Sequence, residues 1–119
     1  MDLHFDCVFY YVRDLQHAIR FYSGILGLSL SSQDSIARYD LDGVLFELIP
    51  TSTETEFTGA GNARLCLKVA DIEQAATALR EKGVSVGSVH EAENGRLASF
   101  QDPDSNEIVL WQYSKPGAA

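Results

Sequence analysis

Two periods of hydrophobicity run along this chain, one of two residues and one of about 3.6, and they follow each other in a fixed order. Residues 5–12 are rich in aromatic and β-branched side chains and predict a strand. Leu15, Ala18, Ile19 and Tyr22 then keep the i, i+3, i+4, i+7 spacing of one helix face, with Asp14 placed to cap the first turn. The helix is expected to run to about Ser23 and to end at Gly24 or Gly27, where a positive φ costs little. Three strands follow over residues 28–32, 36–41 and 44–49, with Asp42-Gly43 as a hairpin turn.

The same plan returns. Residues 63–69 predict a strand, Asp71 caps a helix whose Ile72, Ala75, Ala76 and Leu79 share a face, and Gly83 follows its Lys82 end. Residues 84–89, 97–101 and 107–113 are the remaining strands, and Asp102-Pro103-Asp104-Ser105-Asn106 is a turn by composition. Val12-Arg13-Asp14-Leu15 recurs as Val69-Ala70-Asp71-Ile72, an offset of 57, and Phe46-Glu47-Leu48 as Ile108-Val109-Leu110, an offset of 62. The chain therefore reads as two similar halves, residues 1–57 and 58–119, each a strand, a helix and three strands. Residues 51–61, polar and Thr-rich, read as a linker or a loop over a site, and residues 114–119 as a frayed tail.

Alternation then sorts the strand residues by face. Val8, Tyr10 and Val12, with Leu65, Leu67 and Val69, form apolar rows suited to pack on the helices. The opposite faces collect Cys7, Phe9, Tyr11, Glu47, Arg64, Cys66, Lys68, Glu107 and Trp111. Aromatics with a few convergent polar groups are what a ligand cavity requires, although an antiparallel sheet wetted on one side carries a similar mixture.

Composition narrows the function classes. With 119 residues, 45% of them hydrophobic and 22% charged, the chain matches one ordinary globular domain that folds without a staple. Nine Lys and Arg against 17 Asp and Glu give a formal net charge of −8, which disfavours nucleic acid as a partner. No long apolar run predicts a membrane span, and the start Met1-Asp2-Leu3-His4 lacks the pattern of a signal peptide, so a cytoplasmic location is expected. Cys7 and Cys66 are then expected as thiols.

Val12-Arg13-Asp14-Leu15, Ala18, Phe21-Tyr22, Leu26-Gly27-Leu28, Val69-Ala70-Asp71 and the run from Phe100 to Ile108 resemble, in order and spacing, the vicinal oxygen chelate superfamily of glyoxalase I, bleomycin-resistance proteins and extradiol dioxygenases. The resemblance covers nearly the whole chain. It implies an α+β fold of two βαβββ modules whose mixed sheets form a U-shaped cleft, completed by a second subunit, as in a homodimer, or by pairing within one chain. Catalytic members hold a divalent metal with four side chains, and the corresponding positions here are Cys7, Glu47, Arg64 and Val109.

Only Glu47 is a conventional ligand in that set, and Arg64 cannot ligate a cation because its guanidinium carries donors only. No metal cofactor is therefore expected, and one that did bind would fall to Glu47 and Cys7. Arg64 is expected to take over the metal's charge role, pairing with Glu47 or presenting its fork to a ligand. Cys66 falls on the same face as Arg64, where a two-thiol site with Glu47 competes with inert packing. Trp111, Phe9, Tyr11 and Tyr39 are candidates for stacking on a flat ligand. Lys68 and Arg96 read as solvated, and none of His4, His17 and His90 aligns with a ligand position.

Two readings follow. One is a metal-free binding protein that holds a small organic or anionic molecule, with Cys7, Phe9, Tyr11, Glu47, Arg64, Cys66 and Trp111 as its binding residues. The other is an enzyme of the lyase, isomerase or dioxygenase kind, with an unconventional metal set or with Glu47 as a general base. A degenerate module serving only dimerisation is the third possibility.

Overall fold

Asp14 and Asp71 both cap helices, each with an extended backbone and a carboxylate that accepts the backbone N–H three residues on: His17 at 3.0 Å and Gln74 at 3.0 Å. The repeat seen in the sequence is thus a repeat in three dimensions. The structure, a computed structural model, describes residues 1–53 and 64–114. The chain divides into two units, Met1–Ala60 and Gly61–Ala119, and each carries one four-stranded mixed sheet.

In the first unit β1 (Cys7–Val12) lies parallel to β4 (Val44–Pro50), which pairs antiparallel with β3 (Ala37–Leu41), and β3 with β2 (Leu30–Gln33). In the second, β5 (Leu65–Lys68), β8 (Glu107–Tyr113), β7 (Gly95–Gln101) and β6 (His90–Ala92) repeat the order with the same directions. One helix packs against each sheet: α1 (Leu15–Ile19) with its continuation, and α2 (Ile72–Glu81). Two βαβββ modules result, the α+β architecture expected.

The first core is aromatic. Tyr22, Tyr39 and Phe46 are fully buried and touch one another at centroid distances of 5.3 to 6.3 Å, and Tyr10 meets Phe46 edge-on at 5.7 Å. The second core is mostly aliphatic, with Ile72, Ala76 and Leu79 of α2 and Ala98, Ile108 and Leu110 of the sheet joined by Phe100. At the end of β7, Asp102 is buried and accepts from the backbone N–H groups of Asp104 and Asn106 and from the Asn106 side chain, all at 2.8 Å. That closes the turn predicted from composition.

Several boundaries differ from expectation, each for a local reason. The first helix does not stop near Ser23 but continues as a π-helical stretch, Arg20–Ile25, in which Leu26 N–H reaches the carbonyl of Phe21. The wider turn lets the adjacent Phe21 and Tyr22 both enter the core and brings the Ser23 hydroxyl to Tyr39 at 2.8 Å. Gly27, not Gly24, takes the left-handed turn that follows, at φ +76°. Residues 84–89 form no strand. Arg80 holds the carbonyls of Val86 and Gly87 at 3.2 and 3.1 Å, and β6 begins only at His90. Arg96 is not simply solvated: it bridges Glu73 on α2 and Glu91 on β6, both at 3.1 Å. Residues 54–63, most of the expected linker, lie outside the described residues, as does the tail from 115.

Candidate functional site

The sheet face turned away from α1 is set by register. Cys7, Phe9 and Tyr11 of β1 stand beside Leu45, Glu47 and Ile49 of β4, and Arg38 of β3 stands beside Glu47 on its other side. Three strands thereby converge on one carboxylate. Glu47 accepts from Arg38 Nε at 3.2 Å through one oxygen and from the Cys7 thiol at 3.4 Å through the other. Its side chain is 16% exposed and that of Arg38 31%. Arg38 also donates from Nη1 to Asp34 at 3.2 Å, so one guanidinium serves two carboxylates.

The electrostatics of this cluster define what it can do. Burial, the hydrogen bond to Glu47 and the nearby charges of Glu47 and Asp6 all push the Cys7 thiol above its ordinary range. Cys7 is therefore held as a neutral hydrogen-bond donor to Glu47 and not as a thiolate nucleophile. With both oxygens of Glu47 engaged, its arrangement is that of a fixed, paired carboxylate. Beside it Phe9, 43% exposed, meets Tyr11 edge-on at 5.2 Å and leaves aromatic surface open on the same face.

In the second unit the corresponding face is chemically different. Gln112 points to the helix side, where its side-chain oxygen accepts from Ile72 N–H at 2.7 Å, so alternation turns Glu107, Val109, Trp111 and Tyr113 the other way. Trp111 and Tyr113 form an edge-to-face pair at 5.5 Å and 88°. Cys66 and Lys68 of β5 are exposed beside Val109 and Trp111, and partial desolvation pushes the Cys66 thiol up. Arg64 is exposed just before β5.

Set against the sequence reading, β1 and β4 bring Cys7, Phe9, Tyr11 and Glu47 together, and β5 and β8 place Cys66 beside the strand of Trp111. Tyr39 is a correction. It is fully buried on the helix side with its hydroxyl bound to Ser23, because its neighbours Arg38 and Asp40 occupy the open face, and it cannot stack on a ligand there. The residue missed was Arg38. Arg64 is expected either to pair with Glu47 or to present its fork to a ligand; within its own sheet Glu47 pairs with Arg38. A shallow depression of about 470 Å³ lies at Arg13, Pro50, Thr51 and Ser52, and none of the candidate residues lines it.

The donor set does not fit a family-type metal. Of the four corresponding positions, Val109 has no ligating atom, Arg64 has donors only and Cys7 is held as a neutral thiol on Glu47. Among the described residues no three His, Cys, Asp or Glu side chains gather into a cation site.

Two paired-sheet modules, each with its open face opposite a capped helix, define a member of a two-module α+β class. The chain matches the Glyoxalase family, described as the Glyoxalase/Bleomycin resistance protein/Dioxygenase superfamily, over residues 4–110. It belongs to that superfamily, the vicinal oxygen chelate group. Among solved structures it is similar to TnmS3, an antibiotic binding protein from Streptomyces sp. CB03234, with 27% identity, a TM-score of 0.79 and coverage of 95% of this chain and 98% of that one. It shares its fold with the fosfomycin resistance protein FosX from Mesorhizobium loti (16% identity, TM-score 0.73, 96% and 95% covered). Lactoylglutathione lyase from Agrobacterium tumefaciens is similar in the same sense (15% identity, TM-score 0.76, 100% of both chains covered). No curated protein sequence matches the chain. Among the described residues no helix is long and apolar enough to cross a membrane.

Proposed function

We propose that this chain is a small-molecule-binding member of its superfamily that works without the family's metal. The observation that carries the reading is the state of Glu47. The one conventional ligand position is occupied by a carboxylate whose two oxygens are committed to Arg38 and Cys7. Each sheet's open face offers aromatic surface of its own, Phe9 with Tyr11 on the first and Trp111 with Tyr113 on the second. The likeness to an antibiotic binding protein over nearly the full length of both chains supports the same reading.

The ligand is an organic molecule with a planar aromatic part. On the first sheet Phe9 and Tyr11 offer stacking surface with Cys7 and Glu47 as polar neighbours, and on the second Trp111 offers it with Arg64 and Cys66 as polar neighbours. The working form is a homodimer, an inference supported by Met1, Leu3 and Phe5, which are 110%, 79% and 73% exposed and present apolar surface suited to a second copy. The setting is cytoplasmic, in keeping with Cys7 and Cys66 as free cysteines.

The test is elemental analysis of protein purified without chelator or affinity metal, together with titration by planar probes of opposite charge, proflavine and anthraquinone-2-sulfonate. Protein without stoichiometric metal that binds either probe and is stabilised by it supports the proposal. Near-stoichiometric metal that disappears on Glu47→Gln refutes it. Light scattering on the chain with and without residues 1–6 tests the dimer, which should weaken on truncation.

A further inference from the structure

The second unit contains a glycine whose backbone does not ask for one. Gly95 opens β7, is buried, and has a φ outside the left-handed region, unlike Gly27, Gly43 and Gly83. What it lacks is room. A Cβ placed there would stand 2.5 Å from Cζ2 and 2.8 Å from Cη2 of Trp111, and 2.5 Å from the carbonyl oxygen of Gln112. Side-chain carbons do not approach so closely, so the benzo edge of the indole rests on the bare Cα of residue 95.

Register explains why the ring reaches that spot. Trp111 is paired with Leu97, and Gly95 with Tyr113, so the indole leans diagonally across the strand pair, with the Tyr113 ring edge-on beside it. A tryptophan on an open sheet face ordinarily has freedom at both side-chain torsions. Here the notch at 95 and the ring of Tyr113 hold it on two sides, which lowers the entropy lost when a ligand stacks on it.

We propose that Gly95 is a positioning residue: it seats the benzo edge of Trp111 against β7, and so sets the depth at which a planar aromatic ligand can stack. This rests on the binding reading above, and extends it to a residue that touches no ligand. Any side chain at 95 lifts the indole toward the ligand's space. The identity of residue 95 therefore decides which ring systems the face accepts.

Because Trp111 is the only tryptophan, its emission reports on the seat without interference. The experiment compares the full chain with Gly95→Ala, Trp111→Phe and the double variant. It reads acrylamide quenching of Trp111 emission, proflavine affinity at 0.15 M salt, and thermal unfolding. Gly95→Ala should raise the quenching constant and weaken proflavine by about tenfold, the range of one well-formed aromatic contact. In the Trp111→Phe background the same Ala should cost clearly less affinity, since a phenyl ring lacks the edge that collides with it and only the contact with the Gln112 carbonyl remains. If Gly95→Ala alone fails to fold, a folded double variant supports the seat by rescue, whereas failure of both assigns the glycine to the Gln112 carbonyl and overturns the proposal. Unchanged quenching, or an equal loss of affinity in both backgrounds, also overturns it. Raised quenching in a protein that binds no probe leaves the seat standing and removes the ligand reading instead.

Discussion

Removing the cation from the Glu47 cluster tests directly whether that carboxylate is held as a structural partner. Arg38→Met keeps the aliphatic stem against the sheet and deletes the guanidinium, leaving Glu47 with the Cys7 thiol as its donor. Exposed ion pairs contribute about 0 to 1 kcal/mol, and breaking a buried one costs about 3 to 5 kcal/mol. Side chains 16% and 31% exposed lie between these limits, so the expected loss is about 2 kcal/mol. At about 4 °C per kcal/mol for a chain of this size, the unfolding midpoint should fall by about 8 °C. Glu47→Gln keeps the shape and should cost about 1 kcal/mol. The double variant decides the matter: a pair that is truly coupled gives a cycle energy of about 1 kcal/mol or more, measured by urea unfolding. A coupling below about 0.3 kcal/mol would refute the reasoning, because Glu47 would then be indifferent to Arg38 and free for other chemistry.

Three further outcomes follow from the titrating groups. Burial pushes the Tyr39 hydroxyl up, against the lowering effect of its hydrogen bond with Ser23, so its contribution to stability is complete below the ordinary phenol pKa and is lost as pH rises through the folded value. The unfolding midpoint should therefore fall as pH rises beyond the ordinary phenol range, and Tyr39→Phe should remove that part of the dependence. At the acid end, the Ile36 N–H and then Arg38 hold the Asp34 carboxyl below its usual range, so its contribution is present above the unfolded pKa and fades as pH falls through the folded one. Asp34→Asn should flatten the dependence of the unfolding midpoint on pH below about pH 4. Finally, Glu47→Gln removes a charge that raises the Cys7 thiol, so Cys7 should alkylate faster at pH 8 than in the parent chain while Cys66 is unchanged, as followed by mass spectrometry.

The element plan was legible because it is written twice. Two Asp caps, two amphipathic helices and the same strand order occur at nearly constant offsets, and each copy supports the reading of the other. What escaped were places where a side chain overrides local pattern: Arg80 taking the carbonyls of Val86 and Gly87 from a ladder, and the π turn that buries both Phe21 and Tyr22. Arg38 is a different kind of miss, since the information was present. A two-residue turn at Asp42-Gly43 forces Leu41 opposite Val44 and, counting outward, Arg38 opposite Glu47. The seat of Trp111 was not legible, because alternation names the face of a side chain and says nothing of the diagonal lean that brings it over Gly95.

The repeat also supplies an internal control on the meaning of Glu47. The register that sets Phe9 beside Glu47, and Arg38 on its other side, sets Cys66 beside Val109, and Ser99 on its other side, in the second sheet. These are the same positions of the same scaffold. Where the fourth strand of the module carries an acid, the third carries a guanidinium; where it carries valine, the third carries a hydroxyl too short to reach across as an ion pair. A cation placed to meet a ligand would have no reason to follow the acid in this way. Arg38 is better understood as the counter-charge that lets Glu47 sit 16% exposed in the sheet face. On that view the open face of the first module centres on an ion pair and a thiol, whereas that of the second sets Val109 and the Trp111 and Tyr113 rings beside exposed Cys66 and Lys68.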